Sequence, residues 1–298
     1  MEKAIEIGNL TKRYGGKKAV DDLTLDIPKG SVFALLGENG AGKSTTIKIL
    51  TGLLQADGGK AFVLGQDAWV NAQSLRRRVG YVPERPRFYD WMRVGEIGWF
   101  TAGFHHRNYL ATYNDYVQKF QLSPQAKLKT LSKGQYAKVA LALALAIEPE
   151  VLILDEPTSG LDLLVRREFL QSMIGLASEG RTIVIASHLI AEVERVASHV
   201  AFLGGSKLLL SASMEELRKR VVKYSVRFDD QAPDLAPLGN VLQRNGSGKL
   251  TQAVVLDPQA DKANELAAAA SVVDVEESPL GLEDVYCALL AQNEGEKE

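Results

Sequence analysis

The stretch Gly37–Thr45 (GENGAGKST) follows the apolar run Val32–Leu36 and opens a helix-like stretch, Lys43–Thr51. Its glycines let the backbone curl so that several N–H groups point at one anion. Lys43 adds a point charge for phosphate groups, the Ser44 hydroxyl can bind Mg²⁺, and the helix adds its N-terminal dipole. We therefore predict a nucleotide-phosphate site that comprises Gly37, Glu38, Asn39, Gly40, Ala41, Gly42, Lys43, Ser44 and Thr45.

A glycine-rich turn without a ligand is the alternative interpretation of this stretch. The strand before it and the helix after it favour the phosphate site. A similar string, Asn245–Lys249 (NGSGK), has Gln243 in place of the first glycine and lies between two strand-like runs. That second string therefore predicts a hairpin turn.

Strand-like and helix-like stretches alternate on both sides of the phosphate site. The strand-like runs are Ala4–Leu10, Val20–Ile27, Val32–Leu36, Ala61–Leu64, Val79–Val82, Val151–Leu154, Thr182–Ala186 and Val200–Leu203. The helix-like stretches are Lys43–Thr51, Lys133–Ile147, Leu163–Ala177 and Ile190–Val196. This order predicts an α/β fold with a parallel sheet.

Two segments depart from this alternation. Residues from about 88 to 135 contain few β-branched runs and predict a helical insertion. After Ser211, a capping box at Ser213 and Glu216 opens a short helix. The stretches that follow it predict strand, helix, strand and helix at Val221–Phe228, Asp261–Ala270, Ser271–Glu276 and Leu282–Gln292. We expect two domains, 1–212 and 213–298, the second a small α+β domain.

Composition limits the possible functions. The 298 residues include 35 basic and 37 acidic side chains, a balance that gives no reason to expect a nucleic-acid partner. The single cysteine, Cys287, excludes an internal disulfide and is expected in the core. No stretch approaches the roughly 20 apolar residues that span a bilayer, and Met1–Leu10 predicts no signal peptide. Action at a membrane would require a separate spanning chain.

Two adjacent acids follow one of the apolar strands. Val151–Leu154 runs directly into Asp155 and Glu156. Ligands bind at the carboxyl ends of parallel strands, and successive strand residues point opposite ways. We expect Asp155 to support Mg²⁺ and Glu156 to polarise an attacking water. Two solvated acids at a strand end are the alternative, which the phosphate site disfavours.

Four further motifs, together with the phosphate site, resemble those of the nucleotide-binding subunit of ABC transporters. The string LSKGQ is close to the LSGGQ signature, SGLD resembles the D-loop, Ser187–His188 resembles the switch histidine, and Tyr14 falls where the family stacks an aromatic ring on adenine. The resemblance covers about residues 1–210. It assigns the signature to Leu131, Ser132, Lys133, Gly134 and Gln135, and the D-loop to Ser159, Gly160, Leu161 and Asp162.

This resemblance implies a P-loop NTPase fold of the ABC ATPase type, with an N-terminal antiparallel β subdomain. It implies catalytic roles for Glu156 and His188, and ATP and Mg²⁺ as cofactors. It also implies a head-to-tail dimer, either a homodimer or a heterodimer with a second ATPase subunit. The signature of one subunit would close on the ATP of the other. The dimer would work with separate transmembrane permease subunits at the cytoplasmic face of the cell membrane.

Two positions depart from the family pattern. Lys133 stands where the signature usually has glycine, and Glu84 replaces the glutamine of the Q-loop. The retained Ser132 and Gly134 predict a working signature with an added cation. A carboxylate at Glu84 can still bind Mg²⁺, and more strongly because of its charge, so Glu84 joins Ser44 and Asp155 as predicted metal ligands.

The strings Tyr81–Glu84 (YVPE) and Leu282–Tyr286 (LEDVY) resemble the ABC-2 exporter branch of the family. A soluble ABC-type ATPase that acts on ribosomes or DNA is the alternative. The single set of motifs and the absence of a long coiled-coil insertion disfavour it. A non-hydrolytic nucleotide sensor is a third possibility, which Glu156 and His188 disfavour.

Aromatic and histidine residues in the predicted insertion have less specific interpretations. Trp91 and Trp99 either pack within the insertion or contact a membrane partner. His105 and His106 are adjacent, so their side chains diverge and are poor co-ligands; we expect them at the surface.

Overall fold

The computed structural model describes residues 2–269 and 271–295. Its strands are β1 (Lys3–Tyr14), β2 (Lys17–Pro28), β3 (Val32–Gly37), β4 (Gly58–Val63), β5 (Gln66–Asp67), β6 (Val79–Val82), β7 (Val151–Asp155), β8 (Thr182–Ser187), β9 (His199–Gly204), β10 (Lys207–Ser213), β11 (Val221–Phe228), β12 (Asn240–Ser247), β13 (Leu250–Leu256) and β14 (Val272–Pro279).

The α-helices are α1 (Lys43–Leu50), α2 (Ala72–Leu75), α3 (Val94–Ala102), α4 (Tyr109–Lys119), α5 (Lys133–Leu145), α6 (Leu163–Ser178), α7 (Ile190–Val193), α8 (Met214–Arg220), α9 (Ala260–Ala267) and α10 (Leu282–Gly295). Short 3₁₀ turns lie at Leu128–Thr130 and Ala236–Leu238. In the described part of the chain, no helix is long and apolar enough to cross a bilayer.

A six-stranded sheet in the order β10-β9-β3-β8-β7-β6 forms the centre of the molecule. The strands from β9 to β6 pair in parallel, and β10 pairs antiparallel to β9. Every residue of β3, β7 and β8 is buried, as expected for parallel strands that are covered on both faces. This topology confirms the predicted α/β fold. Because β3, β7 and β8 are parallel, their carboxyl ends lie at the same edge of the sheet.

An antiparallel sheet in the order β2-β1-β4-β5 covers one face of the central sheet. Its inward residues, including Ile5, Leu23 and Ile27, share an apolar core with Phe33 and Ile47. The structure therefore contains the N-terminal antiparallel β subdomain that the resemblance implied.

The helical insertion has an apolar core of its own. Its buried residues include Met92, Tyr109, Tyr113 and Val117. Helix α5 joins this core to that of the central sheet, because Val139 packs in the insertion and neighbouring residues of α5 face the sheet. The start of α5, to which the resemblance assigns the signature, is therefore supported by the apolar cores of both the insertion and the central sheet.

The C-terminal residues form a second antiparallel sheet, in the order β12-β13-β11-β14. Ser213 caps α8 by accepting a hydrogen bond from the Glu216 N–H at 3.1 Å, which confirms the predicted capping box. The turn between β12 and β13 confirms the predicted hairpin. Helix α10 packs against the central sheet, because Leu282, Val285 and Leu289 share an apolar core with residues of β3, and it also contacts β12 of the C-terminal sheet.

Several boundaries differ from the sequence predictions. Strands β5 and β10 were not predicted, and the end of the predicted helix Asp261–Ala270 falls on Ala270, which lies outside the described residues. The prediction of a core cysteine is wrong. Cys287 is exposed on α10. The buried face of that helix contains Leu282, Val285 and Leu289, and position 287 lies outside that face.

Candidate functional site

The phosphate loop lies between β3 and α1, at the carboxyl edge of the central sheet. Gly42 precedes α1 with φ +104°, and a Cβ there would lie 2.5 Å from the Ala19 carbonyl oxygen. A Cβ at Gly37 would lie 2.5 Å from the Leu203 carbonyl oxygen. Glycine is therefore required at both positions by close backbone contacts.

Lys43 is buried with its ammonium group inside this loop. Its Nζ donates to the Gly37 carbonyl at 2.7 Å and to the Glu38 carbonyl at 3.1 Å. Glu156 Oε1 lies 3.4 Å from the same nitrogen. Two carbonyl dipoles and one carboxylate compensate the buried charge, which would otherwise be costly. Lys43 thereby presents a fixed cation beside the backbone N–H groups of the loop.

The Ser44 hydroxyl donates to Asp155 Oδ1 at 3.0 Å. Burial, together with the nearby negative charges of Glu156 and Glu84, raises the pKa of Asp155, although the Ser44 hydrogen bond opposes this shift. A hydroxyl, a buried carboxylate and the nearby Glu84 form a set of oxygen donors that suits Mg²⁺. Among residues 2–269 and 271–295, no group of three or more His, Cys, Asp or Glu side chains is arranged to hold a metal ion.

Glu156 lies in the left-handed backbone region, with φ +48°. Such a conformation is uncommon for a residue other than glycine and is often found at functional sites. Its Oε2 accepts from His188 Nδ1 at 2.8 Å and from the His188 backbone N–H at 3.3 Å. Because a carboxylate only accepts, the proton lies on Nδ1. Its Oε1 has no hydrogen-bond partner among the described residues.

A cleft of about 490 Å³ brings eleven of the predicted site residues together. Tyr14, half exposed, lines this cleft together with Glu156 and His188. Its lining residues are Tyr14, Lys17, Lys18, Ala19, Asn39, Gly40, Gly42, Lys43, Ser44, Thr45, Glu84, Glu156, Ser159 and His188. Lys17, Lys18 and Ala19 were not predicted from the sequence. They come from the start of β2, and no motif marks them.

Two of the five residues assigned to the signature line a different cleft of the same chain. Leu131 and Lys133 line a space of about 690 Å³ that also includes Glu84, Glu156 and Gly160. Ser132, Gly134 and Gln135 line neither cleft. Ser132 Oγ accepts from the Gln135 N–H at 3.2 Å, and Gln135 Oε1 accepts from the Ser132 N–H at 3.0 Å. This capping box fixes the start of α5.

The D-loop is held by a network that the sequence motifs did not indicate. Asp162 caps α6 by accepting from the Val165 N–H at 3.0 Å. Arg166 donates to the Leu161 carbonyl at 2.9 Å and pairs with Glu192 of α7. The D-loop is therefore tied to the short helix that follows His188. Lys133 approaches the same loop, since a Cβ at Gly160 would lie 3.3 Å from its Nζ.

Comparisons with known proteins agree with this geometry. The sequence profile of the ABC transporter family matches residues 20–159. The bacitracin transport ATP-binding protein BcrA of Bacillus licheniformis is 35% identical over 75% of this chain and 74% of its own length. The ABC transporter ATP-binding protein YtrB of Bacillus subtilis is 27% identical over 95% of this chain and 97% of its own length.

Solved structures give the same result for the fold. An ATP-binding subunit of an ABC transporter superposes with a TM-score of 0.65 at 28% identity, over 72% of this chain and 92% of that one. The family profile, the curated relatives and the folded site thus agree. The chain belongs to the ABC transporter family, as an ATPase subunit.

Proposed function

We propose that this chain powers a membrane transporter, specifically an exporter of the ABC-2 type, through ATP-driven closure of a dimer. The observation that carries this proposal is the group formed by the buried Lys43 and Glu156 with the exposed His188, with contacts of 3.4 and 2.8 Å. In this group, the Lys43 ammonium, which can bind phosphate, lies next to the Glu156 carboxylate, and His188 orients that carboxylate. Such a group suits hydrolysis of a phosphoanhydride bond rather than nucleotide sensing alone.

Each residue of this group has a distinct role in the proposed reaction. Glu156 Oε1 takes the proton of the attacking water as general base, since this oxygen has no hydrogen bond within the described chain. His188 holds Glu156 Oε2 and thereby orients the carboxylate. Lys43 balances the negative charge that develops on the phosphate oxygens. Ser44, Asp155 and Glu84 would hold Mg²⁺, which supplies further neutralisation of that charge.

The position of the signature supports a composite site. Ser132 and Gly134 lie at the N-terminus of a 13-residue helix, where backbone N–H groups attract anions. They do not reach the cleft that contains Lys43 in their own chain. We infer that they complete the cleft of a second subunit, with Tyr14 against the adenine ring. The second subunit is either a copy of this chain or a related ATPase.

An exposed aromatic cluster on the helical insertion supports a membrane partner. We name it the aromatic cluster: Tyr89, Trp91, Trp99, Phe100 and Phe104, between 39% and 74% exposed. Tyr89 contacts Trp91 and Phe100, and Phe100 contacts Phe104, at ring-centroid distances between 5.6 and 6.0 Å. Trp99 precedes Phe100 in α3. Large aromatic side chains at the surface are typical of protein interfaces. We infer that a permease subunit covers this cluster and holds the ATPase at the cytoplasmic face of the membrane.

Purification of the tagged chain from detergent-solubilised native membranes tests this function. We expect a membrane-spanning subunit to co-purify. Changing Trp91 and Trp99 to serine should lower its recovery by about fivefold or more, because aromatic interface residues often contribute over 1 kcal/mol each. Trp69→Ser is the matched control, since Trp69 is 45% exposed and lies outside the aromatic cluster. Recovery of ribosomes or DNA instead would favour the soluble alternative, and equal recovery with all variants would contradict the contact.

A second prediction concerns the unusual acid of the Q-loop. Glu84→Gln should leave ATP binding unchanged but raise the Mg²⁺ concentration for half-maximal ATPase activity by roughly threefold, because a neutral amide attracts the ion less than a carboxylate. The measurement is a Mg²⁺ titration at fixed ATP. Glu148→Gln, at an exposed position outside both clefts, is the control. Superimposable titrations of the parent and Glu84→Gln would remove Glu84 from the metal site.

A further inference from the structure

Tyr286, on the C-terminal helix α10, contacts the backbone of the phosphate loop. The Glu38 N–H donates to Tyr286 Oη at 2.9 Å, and Tyr286 Oη donates to the Leu203 carbonyl at 3.1 Å. The side chain is buried, and its ring stacks on Phe202 with centroids 5.8 Å apart. The hydroxyl therefore joins β9 to the start of the loop from a position 248 residues away in the chain.

The bonded N–H belongs to the same peptide unit as the carbonyl that holds Lys43. Gly37 O accepts from Lys43 Nζ at 2.7 Å, and Glu38 N–H is the other end of that peptide. A peptide unit is planar and rigid. A hydrogen bond that fixes the Glu38 N–H therefore also fixes the direction of the Gly37 carbonyl, and with it the position of the Lys43 ammonium.

The protonation state of Tyr286 suits this arrangement. Burial raises the pKa of the Tyr286 hydroxyl, and this effect outweighs the hydrogen bond from the Glu38 N–H. The hydroxyl stays protonated near neutral pH, so it can donate to Leu203 and accept from Glu38 at the same time. Phenylalanine would keep the ring but leave both backbone groups without this partner.

Helix α10 is anchored on both sides of Tyr286. At its start, the Leu282 N–H donates to Glu194 Oε2 at 3.2 Å, directly after α7. Towards its end, Gln292 Nε2 donates to Asn240 Oδ1 of β12 at 3.3 Å. Leu282 and Leu289 pack into the core of the central sheet. The helix thus connects the C-terminal sheet, the segment after His188 and the phosphate loop.

We propose that Tyr286 is a positioning residue for ATP, which holds the first peptide of the phosphate loop and so makes ATP binding depend on the C-terminal helix. The proposal rests on the assignment of residues 37–45 as the nucleotide site. Loss of the hydroxyl lets the loop populate orientations that do not bind phosphate. The apparent affinity for ATP then falls in proportion to the fraction of molecules whose loop is in the binding orientation.

The test compares Tyr286→Phe with Tyr113→Phe in the full-length protein. Tyr113 is the matched control because its buried hydroxyl also donates to a backbone carbonyl, that of Val94 at 2.8 Å, in the helical insertion. We expect Tyr286→Phe to raise the Kd and KM for MgATP by roughly three- to tenfold with a smaller change in kcat, and Tyr113→Phe to leave the Kd unchanged. Thermal unfolding of both variants reports general destabilisation, which by itself does not raise the Kd of the folded fraction.

Two results would overturn the proposal: a parental Kd in Tyr286→Phe, or an equal rise in both variants. Lys43→Ala separates this inference from the function on which it rests. If Lys43→Ala binds ATP like the parent, the nucleotide site itself is misassigned and the role of Tyr286 fails with it. If Lys43→Ala loses binding while Tyr286→Phe keeps it, only the role of Tyr286 is overturned.

Discussion

Glu156→Gln is expected to lower the ATPase rate by roughly 10²- to 10⁴-fold, the contribution of a positioned general base. The amide keeps the size of the side chain but cannot take a proton from water at Oε1. Binding of ATP should persist, because Lys43 and the loop N–H groups are unchanged. We therefore also expect ATP-bound dimers to accumulate. Phosphate release at saturating MgATP measures the rate, and size-exclusion chromatography with ATP measures the dimer.

The control for this variant is Glu179→Gln, at an exposed position directly after α6. It makes the same chemical change away from both clefts and should hydrolyse ATP at the parental rate. Parental turnover in Glu156→Gln would remove the assignment of Glu156 as general base. The carboxylate would then have only a structural role toward Lys43 and His188.

Lys43→Ala is expected to weaken ATP binding by roughly 10- to 100-fold, since a hydrogen bond to a charged group contributes about 1.5–3 kcal/mol. ATPase activity should fall with binding. Lys60→Ala, on the exposed side of β4, is the control that removes an ammonium group elsewhere. Equilibrium titration with a fluorescent ATP analogue measures the difference. Unchanged affinity in Lys43→Ala would contradict the phosphate site.

The same variant tests whether the site is shared between subunits. Ser132→Arg places a bulky cation at the start of α5 and should abolish turnover without weakening ATP binding to the isolated chain. In a head-to-tail dimer, mixing Lys43→Ala with Ser132→Arg subunits creates one site that carries both changes and one intact site. We expect the mixture to recover part of the activity that each variant lacks. A mixture as inactive as its components would contradict an intact composite site in the mixed dimer.

The sequence was a good guide to the parts of this molecule that local patterns encode. Val32–Leu36, Val79–Val82 and Val221–Phe228 are strands within one residue of the predicted bounds, because each is an apolar or alternating run with clear ends. The start of α5 at Lys133 was predicted from the helix-like stretch Lys133–Ile147 and is fixed by a hydrogen bond between residues three apart, Ser132 and Gln135. Strand β10 was missed because its run Lys207–Ser213 is mostly exposed or half-buried, with only Leu210 and Ala212 buried.

The sequence by itself determined which residues are predicted to form the nucleotide site: the glycines, Lys43, Ser44 and the two acids after β7 stand in motifs that a parallel sheet brings to one edge. Only the tertiary structure decided which residues support that chemistry from a distance. Lys18 lines the cleft beside Lys43. Arg166 pairs with Glu192, 26 residues away, and Tyr286 contacts Glu38, 248 residues away. No local pattern encodes such contacts, because they depend on how sheets and helices pack, and Tyr286 reaches Glu38 only after α10 has folded back onto the central sheet.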